Sequence, residues 1–151
     1  MKWSSLSKGK RVGVRLGLDL GEKRVGVALT DEAGIMALPY LTLEIRGRKH
    51  LVEELQKIIA SHRVGEVVVG LPLTLKGEIG PAAQRIQETV EWCRPHFSIP
   101  WVFWDERLTS LEVERLLQEA DLHHTRRKEV RDQLAAQRIL QNFLDFHRVR
   151  P

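Results

Sequence analysis

The stretch VGVRLGLDLG, from Val12 to Gly21, alternates like a buried strand and carries one carboxylate, Asp19, near its end. Burying an unpaired charge is costly, so a metal, a basic group or solvent must meet Asp19 at that strand end. Gly17 and Gly21 lie two residues before and two residues after Asp19, on the same face of the strand. Neither has a side chain, which indicates that a ligand comes close to the backbone on that face. Asp19 is therefore the first candidate site residue.

The hydrophobic periodicity of the rest of the chain predicts the strands and helices that follow this strand. Residues 21–24 form a hairpin turn, Pro39 interrupts the third strand, and Thr109 with Glu112 forms a capping box. The order predicts an α/β fold with a mixed five-stranded sheet, three antiparallel strands and then parallel strands, flanked by helices. The predicted strands are 12–20, 25–30, 35–45, 66–70 and 101–104, and the predicted helices are about 51–59, 83–93, 109–120 and 129–146.

The length of 151 residues suits one domain with a sizeable core. We predict a flexible basic extension at 1–10, a single domain at 11–147 and a short tail at 148–151. Residues 1–10 lack the apolar segment of a signal peptide, and no apolar stretch approaches the roughly 18 residues of a membrane span. One cysteine, Cys93, cannot form an internal disulfide, which fits a reducing compartment. We therefore expect a cytoplasmic protein with no membrane partner.

Two further acids lie where apolar side chains are expected. Glu106 follows the fifth strand and shares the face of Trp104, although a solvated acidic loop with Glu106 paired to Arg107 would be the simpler interpretation. Asp132 lies in line with Ala136 on the apolar stripe of the last helix, together with Ile139 and Phe143. Asp132 could instead have a purely structural role, in which it interacts favourably with the helix dipole or forms an ion pair with Arg131 or Arg127. Neither role explains why Asp132 faces the core.

Three inward-facing carboxylates, Asp19, Glu106 and Asp132, would repel one another and raise one another's pKa. Bound divalent cations resolve the repulsion, and hard oxygen ligands without a supporting Cys/His cluster favour Mg²⁺ or Mn²⁺. One or two such ions in a basic protein suit phosphodiester hydrolysis.

The distribution of positive charge agrees with a polyanionic partner. The net charge is +4 at pH 7, and basic residues cluster before and after the Asp19 turn, near residues 46–49 and at 126–131. Any one cluster alone could be a solvated face. The candidate phosphate contacts are Lys23, Arg24, Arg107 and Arg127.

Four ordered motifs resemble those of the YqgF family, RuvX-like Holliday junction resolvases that are also described as nucleases maturing the 5′ end of pre-16S ribosomal RNA. The motifs are LGLDLGEKRVGVA from residue 16, VVGLP from 68, DERLTS from 105 and DQLAA from 132. The resemblance implies an RNase H-like fold, Asp19, Glu106 and Asp132 as metal-binding acids, and structured RNA or branched DNA as partner.

The sequence departs from the wider fold at one acid. Many RNase H-like nucleases carry a fourth carboxylate at the end of the fourth strand, where this chain has Gly70-Leu71-Pro72. The loop TLKGE at 74–78 also differs from the Asn-Met-Asp-Gly form associated with the family. With three carboxylates in place of four, we expect the free protein to bind metal more weakly and to rely more on substrate phosphates as ligands.

Two other functions also fit the sequence. An Asp-x-Gly motif before a hairpin also occurs in actin-like ATPases, but those need a second such motif and a second domain. A non-catalytic RNA-binding ribosome-assembly factor would keep the fold without the chemistry. His123 and His124 are interpreted as a solvated pair, and Trp101, Phe103 and Trp104 as core. The sequence leaves monomer and homodimer equally open.

Overall fold

The computed structural model describes residues 13–108, Arg115, Glu119 and 128–148. The elements are β1 (Val14–Leu20), β2 (Arg24–Thr30), β3 (Ala37–Glu44), α1 (Arg48–His62), β4 (Val64–Leu71), α2 (Pro81–Cys93), β5 (Trp101–Asp105) and α3 (Lys128–Arg148). A short 3₁₀ turn, Arg94–His96, follows α2 at Pro95, where the sequence predicted a helix stop. The basic extension at 1–10, the helix predicted at 109–120 apart from Arg115 and Glu119, and His123, His124 and Arg127 lie outside the described residues.

The five strands form one sheet in the order β3-β2-β1-β4-β5. β1 pairs with β2 and β2 with β3 in antiparallel fashion, whereas β4 runs parallel to both β1 and β5. The predicted mixed sheet is therefore confirmed. β1, which carries Asp19, lies in the middle, so its end is flanked by strands on both sides.

Alternation along the strands divides the core into two layers. Leu16, Leu18 and Leu20 of β1 belong to the cluster that contains the buried faces of α1 and α2. The opposite face of the sheet, including Val68 and Trp104, packs against α3. Asp19 shares the alternation of Gly17 and therefore lies on the face of the sheet that α3 covers.

Glycines on that face allow α3 to lie directly on the strands. A Cβ atom at Gly17 would stand 2.8 Å from Cβ of Leu140, and one at Gly26 would stand 1.9 Å from the backbone oxygen of Asp132. The expectation that a ligand uses the space at Gly17 was therefore wrong, because a helix fills it. Gly21 serves the tight hairpin, in which its N–H donates to the Arg24 carbonyl at 3.0 Å.

The aromatic residues of β5 differ in burial. Trp101 and Trp104 are buried, as predicted, whereas Phe103 is 37% exposed and does not belong to the core. β5 is an edge strand whose Val102 and Trp104 lie on the face that α3 covers, so Phe103, on the other face, points away from α3. Trp101 shares the face of Phe103 but is buried in the cluster on that side of the sheet.

None of the helices in the described part of the chain is long and apolar enough to cross a membrane.

Replacement of Gly26 by alanine should strongly destabilise the protein, because the added methyl group would meet the α3 backbone and not a movable side chain. We expect Gly26→Ala to lower the free energy of unfolding by about 3 kcal/mol, the upper end of usual overpacking costs. Gly80→Ala is the matched control, since its Cβ would meet only a Thr74 methyl group at 3.3 Å. Urea denaturation of both variants tests this, and equal losses of stability would contradict it.

Candidate active site

Asp19 and Asp132 become neighbours through the glycine that lies between them. Asp19 is the cross-strand partner of Gly26, and the backbone of Asp132 lies over the Gly26 Cα. Cross-strand partners point to the same face of a sheet, so the Asp19 side chain points toward the start of α3. Both carboxylates are partly buried. Asp132 faces inward, as predicted, because the backbone of α3 packs directly against Gly26 of β2.

Glu106 reaches the same face from the other side of β4. It follows β5, and its N–H donates to the Leu71 carbonyl at 3.2 Å, which extends the β4–β5 pairing by one residue. Its Oε2 atom lies 2.9 Å from the point where a Cβ of Gly70 would be, and Ile139 Cδ1 lies 2.4 Å from that point. The Glu106 carboxylate therefore covers the end of β4, where no larger residue than glycine fits.

Desolvation and like charge act on these carboxylates together. Burial, followed by the charge of Asp132, raises the pKa of Asp19, which nearby Arg85 partly offsets. Burial, followed by the charge of Asp19, raises the pKa of Glu106 to about 7. Glu106 as a whole residue is exposed, but its carboxylate lies against Gly70 and Ile139, and the surroundings of the carboxylate determine the pKa. Asp19 is thus the acid that interacts with both others.

Three arginines of the described part of the chain lie near the acids. Arg24 Nε donates to Asp132 Oδ2 at 2.8 Å, so this predicted phosphate contact is engaged with a candidate catalytic acid. Arg85 of α2 lies 4.0 Å from Glu22 and lowers the pKa of Asp19, and Arg138 of α3 lowers that of Glu106. Sequence reasoning missed Arg85 and Arg138. Each belongs to a helix whose apolar stripe gave no sign that its charged side chains reach the strand ends.

The other predicted phosphate contacts differ in their surroundings. Lys23 is exposed in the hairpin turn beside Asp19, and Arg127 lies outside the described residues. Arg107 forms a bidentate pair with Asp105, with Nη2 at 2.7 Å from Oδ2. The simple pairing of Arg107 with Glu106 is therefore wrong, because alternation directs Asp105 and Glu106 to opposite faces.

Comparison with known proteins identifies the family. The family model described as "RuvX: Holliday junction resolvase" matches residues 13–146. The chain belongs to the RuvX family. The YqgF resemblance is thereby confirmed.

Curated relatives of this RuvX chain carry the name "Putative pre-16S rRNA nuclease". The relative from Thermoanaerobacter pseudethanolicus is 44% identical over 131 residues, which cover 86% of this chain and 94% of the relative. The relative from Gluconobacter oxydans is 44% identical over 144 residues, covering 95% of this chain and 88% of the relative.

Solved structures show the fold of the RuvX chain in more distant proteins. RuvC of T. thermophilus in complex with a Holliday junction substrate matches with a TM-score of 0.60 and 12% identity, covering 91% of this chain and 96% of that chain. The Fowlpox virus resolvase in complex with Holliday junction DNA matches with a TM-score of 0.53 and 8% identity, covering 89% and 98%. The RNase H-like, resolvase-type fold is therefore confirmed.

The acids of this RuvX chain fit a divalent cation by their chemistry. The donors are carboxylate oxygens, which hard divalent cations prefer. Burial and like charge raise the pKa of Asp19 and Glu106, and a bound cation would favour their charged forms. Within the described ranges, no three His, Cys, Asp or Glu side chains are grouped closely enough to hold a metal ion. Asp19 is instead coupled separately to Asp132 and to Glu106. Mg²⁺ commonly needs only one or two carboxylates and completes its shell with water and substrate phosphates.

Glu106 should make the stability of the metal-free protein fall as pH rises. The unfolded chain releases its proton near pH 4.5, whereas the folded protein holds it to about pH 7. This contribution is therefore fully present below pH 4.5 and is lost as pH rises through 7. We expect Glu106→Gln to gain stability relative to the wild type from pH 5 to pH 8, measured by urea unfolding in EDTA. A constant difference across that range would contradict the assignment.

Proposed function

We propose that this RuvX-family protein is a metal-dependent endonuclease that hydrolyses phosphodiester bonds in structured nucleic acid, with the 5′ end of pre-16S ribosomal RNA as its substrate. The observation that carries the proposal is the position of Asp19, held between two acids and coupled to both. Carboxylates held close together repel one another, and a bound divalent cation would relieve that repulsion, which supports a metal site at Asp19.

In this proposal Asp19 is the shared metal ligand, with Asp132 and Glu106 on its two sides. Bound Mg²⁺ or Mn²⁺ would supply activation of water and neutralisation of charge at the scissile phosphate. Asp19 is suited to the shared role because β1 is the central strand and holds its side chain between the other two acids. Asp132 and Glu106 come from separate elements, α3 and the end of β5, and so approach Asp19 from different directions.

Positively charged side chains near the acids would hold the phosphate backbone. Lys23 is exposed directly after the Asp19 turn, and Arg85 adds positive charge close to Asp19. Arg24 would have to share its guanidinium group between Asp132 and a phosphate. Arg127 remains a proposed contact from the sequence alone. The net charge of +4 adds long-range attraction to a polyanion.

The names of relatives support two substrates. The curated relatives are named for pre-16S rRNA, whereas the matching family is described as a Holliday junction resolvase. RNA maturation is the first proposal because relatives at 44% identity carry that name, whereas the resolvases seen with junction DNA share only the fold. Cleavage of branched DNA is the second.

Replacement of Asp19 by asparagine should abolish cleavage while leaving nucleic-acid binding intact, since Asn keeps the shape but loses the charge that a cation needs. We expect a loss of turnover of at least about 100-fold, comparable to removal of other essential electrostatic groups, with the dissociation constant for RNA in EDTA changed less than about threefold. Asp31→Asn, at the opposite end of the sheet, is the control and should cleave normally. Undiminished cleavage by Asp19→Asn would overturn the site.

The choice of substrate requires a direct comparison. A pre-16S rRNA fragment spanning the mature 5′ end and a four-way DNA junction should be offered separately to the wild type and to Asp19→Asn, with Mg²⁺ or Mn²⁺. We expect the wild type to cut the RNA at a defined position. Cleavage of the junction alone would favour the resolvase function, and binding without cleavage of either would favour the non-catalytic factor.

A further inference from the structure

Arg107, next to the site, makes several hydrogen bonds to other parts of the protein. Its backbone N–H donates to Asp105 Oδ1 at 2.9 Å, and Nε donates to the same atom at 3.0 Å. Its Nη2 donates to Asp105 Oδ2 at 2.7 Å. A planar guanidinium group that grips both oxygens of a carboxylate is held in a defined orientation. Arg107 consequently lowers the pKa of Asp105, first through these side-chain bonds.

These bonds fix the turn that carries Glu106. The N–H of Leu108 donates to the Asp105 carbonyl at 3.0 Å, which closes a turn around Glu106 and Arg107. The Arg107 N–H bonded to the Asp105 side chain adds an Asx-type turn inside it. Glu106 is therefore the residue between the two partners of the pair, and its own side chain points to the opposite face, over Gly70.

The same guanidinium group reaches the loop after β4. Its Nη1 donates to the Leu75 carbonyl at 3.3 Å, and Gly77 lies so close that a Cβ would stand 3.3 Å from both Nη1 and Nη2. Gly77 has a φ of +82°, and its N–H donates to the Thr74 carbonyl at 2.8 Å. One side chain thus joins the end of β5 to a loop that follows β4, the two strands whose ends Glu106 bridges.

We propose that Arg107 is a positioning residue for Glu106, anchored by Asp105, and that holding the Glu106 turn against the 74–78 loop is its main role in catalysis. The inference rests on the proposed function, in which Glu106 is a catalytic acid. Asp105 balances the positive charge of Arg107, which reduces the attraction that the pair can exert on a phosphate. A primary phosphate contact would be placed beside a carboxylate only at a cost in affinity for a polyanion.

Turnover of Arg107→Gln, Asp105→Asn and the double variant separates the two roles. For a positioning role we expect each single variant to lose about 10- to 100-fold in kcat, with KM changed less than about twofold, because small misplacement of a catalytic group costs this much. The double variant should be no worse than the worse single variant, because both remove one interaction. Arg107→Lys should recover part of the activity.

A phosphate-contact role gives the opposite pattern and would overturn the proposal. Asp105→Asn would then release Arg107 and lower KM, whereas Arg107→Gln would raise KM and reduce the slope of log affinity against log salt by about one. Asp31→Asn is the matched control, because Asp31 Oδ1 accepts a comparable turn bond from the Ile35 N–H at 2.9 Å, away from the site. It should retain wild-type kcat and KM.

Amide hydrogen exchange tests the positioning role of Arg107 without a measurement of nuclease activity. In Arg107→Gln and Asp105→Asn the amides of Glu106, Leu108 and Gly77 should exchange at least about tenfold faster, with unchanged exchange in β1. If the wild type cleaves no substrate, the proposed function fails, and faster exchange at these amides still supports the positional role. Unchanged exchange, or normal kcat in Asp105→Asn, would overturn that role. Thermal unfolding identifies any variant that fails to fold, and the other single variant then decides.

Discussion

Direct contact between the backbone of α3 and the glycines of the sheet is the constraint on which the site depends. At Gly26 the carbonyl of Asp132 occupies the space of a missing side chain, and at Gly17 the Ala136 carbonyl and Leu140 do the same. Interiors are close-packed, so a single methyl group at either position must displace the helix. The helix carries Asp132, and hence the distance between Asp132 and Asp19 is determined by residues that have no side chains.

The same packing produces the electrostatics of the site. Acids from β1, the end of β5 and α3 lie near one end of the sheet, and the helix that covers the sheet excludes part of the water. Partial desolvation raises the pKa of Asp19 more than the charge of Asp132 does, and it raises the pKa of Glu106 more than the charge of Asp19 does. Arginines supply compensating charge, with Arg24 bound to Asp132. Arg85 and Arg138 offset only part of the rise in the pKa of Asp19 and of Glu106.

The fold, and the face of the sheet toward which the three acids point, could be predicted from the sequence because each leaves a periodic signal. Asp19 and Asp132 interrupt apolar stripes of period two and 3.6, and Glu106 continues the alternation of β5. The neighbours of these acids left no such signal. Whether Arg107 meets Glu106 or Asp105 depends on the turn after β5, and the meeting of Gly26 with Asp132 joins residues 26 and 132 through tertiary packing. Local patterns indicate which face a residue occupies, but not what lies opposite it.

The place of α3 in the chain affects when the site can exist during biosynthesis. Asp19 emerges from the ribosome early and Glu106 much later, but Asp132 arrives only with the last described element, which must then dock on strands made near the beginning. Long-range contacts of this kind form late, after the chain between them has been made. A nascent or truncated chain thus holds two of the acids without the third. For a protein proposed to cut RNA, this order means that the capacity to cut arises only after α3 has been made and has docked on the sheet.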